Sequence, residues 1–168
     1  DPAFARAFSN RCALYNDKGL LDEAISDCSR AISLSPDMAS AFMNRGVSYK
    51  DKGWLDEALL DLNKAIELEP GSADAYNNRA SVYGMKERVD QALEDCDKAL
   101  WLNPSFAEAY NNRAILYKKK GLFDKALADY DKAIELKPDF AIAYVNRGAM
   151  YGTKDLFDKA LQDYSKAQ

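Results

Sequence analysis

Apolar residues along the chain fall into two alternating patterns of helical period, separated by short breakers. In one stretch Ala41, Phe42, Arg45, Gly46 and Tyr49 recur at three- and four-residue spacing and give way to Gly53. Leu55, Ala58, Leu59, Leu62, Ala65 and Ile66 then repeat the rhythm until Pro70. Such a stretch predicts a pair of helices joined by a tight turn. Proline, which lacks a backbone donor and disfavours helix at the residue before it, closes each pair.

The same stretch occurs along the whole chain. Pro2, Pro36, Pro70, Pro104 and Pro138 stand 34 residues apart, as do Tyr15, Tyr49, Tyr83, Tyr117 and Tyr151. Ala24, Ala58, Ala92, Ala126 and Ala160 keep the interval, followed by Ala31, Ala65, Ala99, Ala133 and Ala167. Small residues at fixed columns let two helices approach closely, and the aromatic residues fill the space between them.

Read together, an early aromatic (Phe8, Phe42, Tyr76, Tyr110, Tyr144), a small residue (Cys12, Gly46, Ala80, Ala114, Gly148), then Tyr, Ala, a larger residue, Ala and Pro resemble the tetratricopeptide repeat signature. The resemblance implies an all-α fold, a right-handed superhelical α-solenoid whose first helices line a concave groove. One domain is expected over residues 1–168, with repeats at 5–38, 39–72, 73–106, 107–140 and a truncated 141–168. The opening Asp1-Pro2 reads as the end of a preceding repeat, so the sequence is expected to be a segment of a longer protein. Glu87 and Asp155 stand where Gly19, Gly53 and Gly121 end the other first helices, which predicts looser turns there. Gly84 and Gly152 predict an earlier end to those two helices.

Net charge is -4, a poor match to nucleic acid or an anionic membrane surface, and no apolar run has the length of a membrane span. A cytoplasmic protein without nucleic-acid partners or direct membrane insertion is expected. The chain has no His, no phosphate-cradling Gly-rich loop and no Cys at zinc-ligand spacing, so neither an enzyme nor a cofactor is expected. Asp22-Glu23 and Asp56-Glu57 read as helix starts. In the family the columns of Cys12 and Cys28 touch across the hairpin, within reach of a disulfide, but buried reduced thiols are expected at all the cysteines. Lys118-Lys119-Lys120 reads as a solvated run.

An Asn-Arg pair recurs in every first helix: Asn10-Arg11, Asn44-Arg45, Asn78-Arg79, Asn112-Arg113 and Asn146-Arg147. Asn is a mediocre helix residue, but its amide both donates and accepts, as the main chain of a bound peptide requires. The same column lines the concave face in the family, including the asparagine ladder of O-linked N-acetylglucosamine transferases. Peptide contact is therefore expected at Asn10, Asn44, Asn78, Asn112 and Asn146, with bracing of adjacent repeats as the alternative. Met43, Asn77, Asn111, Val47, Ser81 and Ile115 flank the ladder as selectivity positions. They stand where the two-carboxylate clamp of chaperone adaptors needs Lys or Asn, which excludes that clamp. Each Arg has an Asp sixteen residues on (Asp27, Asp61, Asp95, Asp129, Asp163), predicting a brace within the hairpin.

Leu20, Trp54, Leu122 and Leu156 precede the second helices and predict either packing into the neighbouring turn or an exposed ridge, with Trp101 as a further outer aromatic. The last unit leaves Phe157, Leu161 and Tyr164 without a successor, an apolar end open to homo-oligomer formation. The function implied is a protein-interaction scaffold that holds a peptide or protein segment in its groove; the alternative is the substrate-recruiting arm of a larger enzyme.

Overall fold

The computed structural model describes residues 2–167, and among these the chain forms ten α-helices and no strand. It divides into two compact units, Asp1–Glu87 and Arg88–Gln168. The first holds α1 (Pro2–Asp17), α2 (Leu21–Leu34), α3 (Ala39–Asp51), α4 (Leu55–Leu68) and α5 (Ala73–Met85); the second holds α6 (Val89–Leu102), α7 (Ala107–Lys119), α8 (Phe123–Leu136), α9 (Ala141–Gly152) and α10 (Phe157–Lys166). In the first unit α1 packs on α2 and α3 on α4, while α3 also meets α2 and α1 from the preceding repeat. In the second, α7 packs on α8 and α9 on α10, with α6 against α7 and α8 against α9.

The hairpins close by a size match between two columns sixteen residues apart. Gly46 faces Leu62 so closely that a Cβ on the glycine would stand 2.9 Å from Leu62 Cγ, and one on Gly148 would stand 3.0 Å from Tyr164 Cε1. Ala114 and Tyr130 share a buried cluster with Ala126 and Met150. In the first repeat the same columns hold Cys12 and Cys28, both fully buried, with Cα atoms 5.5 Å apart and joined as a disulfide. The expectation of reduced thiols is corrected at this pair. That expectation came from compartment, whereas the hairpin holds the two Cα atoms at the separation a disulfide requires. Cys96 is a free, buried thiol, which burial pushes up to about 12.

Four of the turns between first and second helices share one closing bond. The amide of Leu20 donates to the Tyr15 carbonyl at 2.9 Å, Trp54 to Tyr49 at 2.8 Å, Leu122 to Tyr117 at 2.9 Å and Leu156 to Tyr151 at 3.0 Å. These are the six-residue closures of a Schellman cap, whose left-handed residue is Gly19, Gly53 or Gly121, with φ between 71° and 79°. Glu87 and Asp155 adopt that conformation too, at φ 57° and 59°, and their amides donate to the Gly84 and Gly152 carbonyls at 3.3 Å as Gly19 does to Asn16, so the left-handed residue is kept without glycine. Helix α5 is as long as α3 and α7, and α9 is one residue shorter, so Gly84 does not shorten its helix.

The Schellman cap accounts for the apolar residues that follow it, because a hydrophobic contact back to the helix normally accompanies it. Trp54 stacks on Tyr49 with ring centroids 5.8 Å apart. Leu20, Trp54, Leu122 and Leu156 remain 40–47% exposed, so each shows an outer edge. Trp101 is 72% exposed, with the Lys98 ammonium 3.9 Å from its ring centroid. Phe157, Leu161 and Tyr164 on α10 are exposed.

Two outcomes follow. A left-handed backbone costs an L-residue about 1–2 kcal/mol, less for Asp, whose side chain bonds locally. Glu87→Gly is expected to raise the urea-unfolding free energy by about 1 kcal/mol and Asp155→Gly by less, whereas no gain in either variant contradicts the shared cap. With the chain unfolded in guanidinium, dithionitrobenzoate is expected to titrate one thiol without reductant and three after reduction. Reducing the native protein should cost about 3 kcal/mol, the loop-closure value for a loop of this length. Three thiols without reductant would contradict the disulfide.

Candidate functional site: the first-helix face

Three- and four-residue spacing puts Phe42, Arg45 and Tyr49 on one face of α3, with the guanidinium between the two rings. Its central carbon lies 5.8 Å from the Phe42 centroid and 5.7 Å from that of Tyr49. The same arrangement recurs at Arg11, Arg79, Arg113 and Arg147, at 5.5 to 5.8 Å from the flanking rings. Cation–π attraction at this range stabilises the pose and leaves the edge of the guanidinium plane free for hydrogen bonds.

That edge is met by aspartate from the second helix. Arg45 donates from Nε to Asp61 Oδ2 at 2.7 Å and from Nη2 to Oδ1 at 2.9 Å. Arg11 grips Asp27, Arg113 grips Asp129 and Arg147 grips Asp163 in the same two-pronged way. A third donor, Nη1, reaches back to the second helix of the preceding repeat: Arg45 to Ser29 Oγ at 3.0 Å, Arg79 to Asn63 Oδ1 at 2.7 Å, Arg113 to Asp97 at 2.7 Å and Arg147 to Asp131 at 2.6 Å. One side chain thus ties three helices. The hydrogen bond to aspartate is the main cause that holds the guanidinium of Arg45, Arg113 and Arg147 above its ordinary pKa, against the opposing effect of burial.

The intra-hairpin brace is the one expected from the sixteen-residue spacing. The aromatic sandwich and the third contact are additions. The third contact has a signal in the sequence, since the column sixteen before Arg is always a hydrogen-bonding residue: Ser29, Asn63, Asp97, Asp131. Lysines at the turns add ion pairs between adjacent repeats. Lys52 pairs with Asp22, Lys86 with Asp56 at 2.7 Å, Lys120 with Asp90 at 2.7 Å, and Lys154 with Asp124 at 3.4 Å. The last member of the Lys118–Lys120 run is therefore part of the scaffold. These aspartates are highly exposed, so each pair adds little stability.

One residue before each Arg, about 100° around the helix, lies the asparagine column. Asn10 is exposed, and Asn44, Asn78, Asn112 and Asn146 are half-buried. Asn44 Nδ2 donates to the Ser9 carbonyl at 3.4 Å, and Asn146 Nδ2 donates to Asn111 Oδ1 at 3.0 Å. Both bonds join successive first helices, as the bracing alternative requires. An amide has two N–H donors and an oxygen that accepts twice, so one such bond uses part of its capacity. At the first seam Asn16 Nδ2 donates to the Asn44 carbonyl at 2.9 Å, and the buried Ser48 hydroxyl donates to Asn16 Oδ1 at 2.6 Å.

The flanking positions divide. Asn77 and Asn111 are 8% and 5% exposed. Met43 packs against the core formed by Ala58, Leu59, Leu62 and Val82, and Ile115 against that formed by Ala114, Ala126, Tyr130 and Met150. Val47 and Ser81 are half-buried. Among the described residues no group of three His, Cys, Asp or Glu is placed to hold a metal ion, and no helix is long and apolar enough to cross a membrane.

Family models described as Tetratricopeptide repeat match residues 5–38, 73–106 and 107–140, and one described as TPR repeat matches 48–87. The chain belongs to the tetratricopeptide repeat family. A crystal structure of MamA is 31% identical, covers 91% of this chain and 90% of its own, and superposes with a TM-score of 0.73. YrrB, described as a TPR protein with an unusual peptide-binding site, is 26% identical over 95% of this chain and 82% of its own, at a TM-score of 0.67. A thermophilic TPR protein of Thermus thermophilus shares the fold at 22% identity and a TM-score of 0.88, over 97% of this chain and 89% of its own. No curated protein sequence matches the chain.

Within this repeat architecture the guanidinium brace is structural. Removing one partner of a largely buried ion pair leaves the other uncompensated, so Asp61→Asn and Asp129→Asn are each expected to lower stability by about 2–4 kcal/mol in urea unfolding. Ser29→Ala, which removes only the third contact, is expected to cost about 0.5–1.5 kcal/mol. Unchanged midpoints in the two Asp variants would contradict the brace.

Proposed function

We propose that this tetratricopeptide repeat chain is a protein-interaction scaffold that holds a polypeptide segment against its first helices through the main chain of that segment. The observation that carries this reading is the division of labour within Asn-Arg. The arginine spends its donors on aspartate and the preceding repeat, while the neighbouring amide stays partly exposed with hydrogen-bonding capacity in excess of its bracing bond. An amide recurring once per repeat meets any peptide main chain regardless of side chains, and the more variable Val47 and Ser81 beside it are suited to discriminate among them. That YrrB, a relative in the same family, is described by its peptide-binding site supports the reading.

Asn10, Asn44 and Asn78 supply these contacts in the first unit, and Asn112 and Asn146 in the second. Met43, Ile115, Asn77 and Asn111 act beneath them, setting the spacing of the first helices. The test is capture of peptides by the intact chain from a random-sequence library, followed by titration of one captured peptide. Replacing Asn44, Asn78 and Asn112 together by Ala is expected to weaken that peptide at least tenfold, about 0.5–1.5 kcal/mol for each bond, with helicity retained. Unchanged affinity in the triple variant would overturn the reading.

A further inference from the structure

The seams between repeats are made by a first helix seated on the second helix before it, and the same kinds of contact recur there. An apolar residue of the first helix enters the core of the preceding hairpin: Val82 shares a core with Ala58, Leu59 and Leu62, and Met150 with Ala126 and Tyr130. The third donor of the arginine reaches the preceding second helix, as Arg45 reaches Ser29 Oγ at 3.0 Å. A lysine that ends the first helix pairs with an aspartate in the first turn of the preceding second helix, as Lys52 does with Asp22 and Lys120 with Asp90.

Helix α1 carries one half of such a seam with nothing against it. Leu14 stands in the column of Val82 and Met150, yet it is 60% exposed where Ser48, Val82, Leu116 and Met150 are at most 4% exposed. Ala7 is exposed as well, while Ala41, Ala75, Ala109 and Ala143 of its column are buried. Arg11 makes its two bonds to Asp27 and, among the described residues, has no third partner. Its side chain is 52% exposed, against 17–20% for Arg45, Arg113 and Arg147. Lys18, in the column of Lys52 and Lys120, is exposed and has no ion pair among the described residues.

The other half stands on α10. Leu161 and Tyr164 are exposed, although Leu59 and Leu62 of their columns are buried and Leu127 and Tyr130 pack in the core that Met150 enters. Ser165 falls in the column of Ser29. Its hydroxyl donates to the Leu161 carbonyl at 2.9 Å, which leaves the oxygen open to accept from a guanidinium. Asp158, in the first turn of α10, falls in the column of Asp22 and Asp90 and is exposed, with no ion pair among the described residues. What α1 leaves unmatched therefore has its counterpart on α10: the Leu161 and Tyr164 face for Leu14, Ser165 for Arg11 and Asp158 for Lys18.

We propose that a second copy of this chain seats its α1 on the α10 face, so that the seam between repeats continues from molecule to molecule, head to tail. Both halves belong to one sequence, and they match in the apolar contact, the hydrogen bond and the ion pair that the seams within the molecule already use. Two α10 faces set against each other would cover Leu161 but leave Arg11 and Lys18 unmatched. Because head and tail are different surfaces, each copy that joins leaves one of each free, and association grows with concentration unless a ring closes.

The test is sedimentation velocity of the full chain over a concentration series, without peptide, beside the variants Leu14→Glu and Leu161→Glu. Both leucines are exposed in the single molecule, and circular dichroism checks that helicity is unchanged. The unaltered chain is expected to gain mass as concentration rises. Each variant alone should associate at least about tenfold more weakly, because the seam would bury a charge in place of a leucine. An equimolar mixture of the two variants should form a particle of two chains and none larger. In it the intact tail of the Leu14→Glu chain meets the intact head of the Leu161→Glu chain, and the outer ends are blocked. A chain that stays monomeric at every concentration would overturn the proposal and leave the α10 face to a different protein. A Leu14→Glu chain that assembles like the unaltered one would overturn it in favour of paired α10 faces, and so would a mixture that does not recover the two-chain particle. No peptide is present, so each of these outcomes leaves the peptide reading untouched.

Discussion

A guanidinium held between two aromatic rings and gripped edge-on by an aspartate sixteen residues away is the interaction on which each repeat depends. The charges are largely taken out of water, a cost recovered only when every donor finds a partner in good geometry. Repeats two, four and five meet that condition with two bonds to aspartate and a third to the preceding repeat. The grip also fixes the distance between first and second helices, and that distance explains why the column next to Arg is small. A methyl group at Gly46 or Gly148 would press on Leu62 or Tyr164 and force that side chain to shift, and Cys12 fits by bonding to the residue it faces.

Function is then distributed by position around the helix. Because Arg faces inward to the second helix, the residue before it turns to the adjoining face, where its amide serves the seam between repeats and, in the proposed reading, a ligand as well. In the second unit the buried Asn111 accepts from Asn146 across the seam, and in each unit a flanking residue, Met43 or Ile115, packs on that unit's own core. The columns that do not repeat are what distinguishes one repeat from another. The column of Arg6 and Glu108 is one, with a cation in the first repeat and an internally neutralised acid in the fourth.

Features set by spacing were legible in the sequence, and features set by the backbone were not. The Arg-to-Asp interval and the recurring prolines predict the hairpins and their brace, because residues at a constant separation across a constant hairpin must face each other. Glu87 and Asp155 misled because a missing glycine reads as a loosened turn. The cap's hydrogen bonds instead impose left-handed geometry on whichever residue stands there. Cys12 and Cys28 misled because compartment was weighed above the hairpin's fixed separation. The lysine–aspartate pairs thirty residues apart and the Asn44 bond to a backbone carbonyl join successive repeats, and a pattern read one repeat at a time does not reveal them.

The central claim is that Arg belongs to the scaffold and its neighbouring Asn to the ligand. It is tested most directly by following the side-chain N–H signals of both residues in one NMR experiment, with and without a captured peptide. The account predicts Nε–H signals of Arg45, Arg113 and Arg147 that exchange slowly with water in the free protein and stay in place when peptide is added, while the side-chain amides of Asn44, Asn78 and Asn112 shift. Fast-exchanging arginine signals that move with the peptide, beside asparagine amides that do not respond, would contradict it.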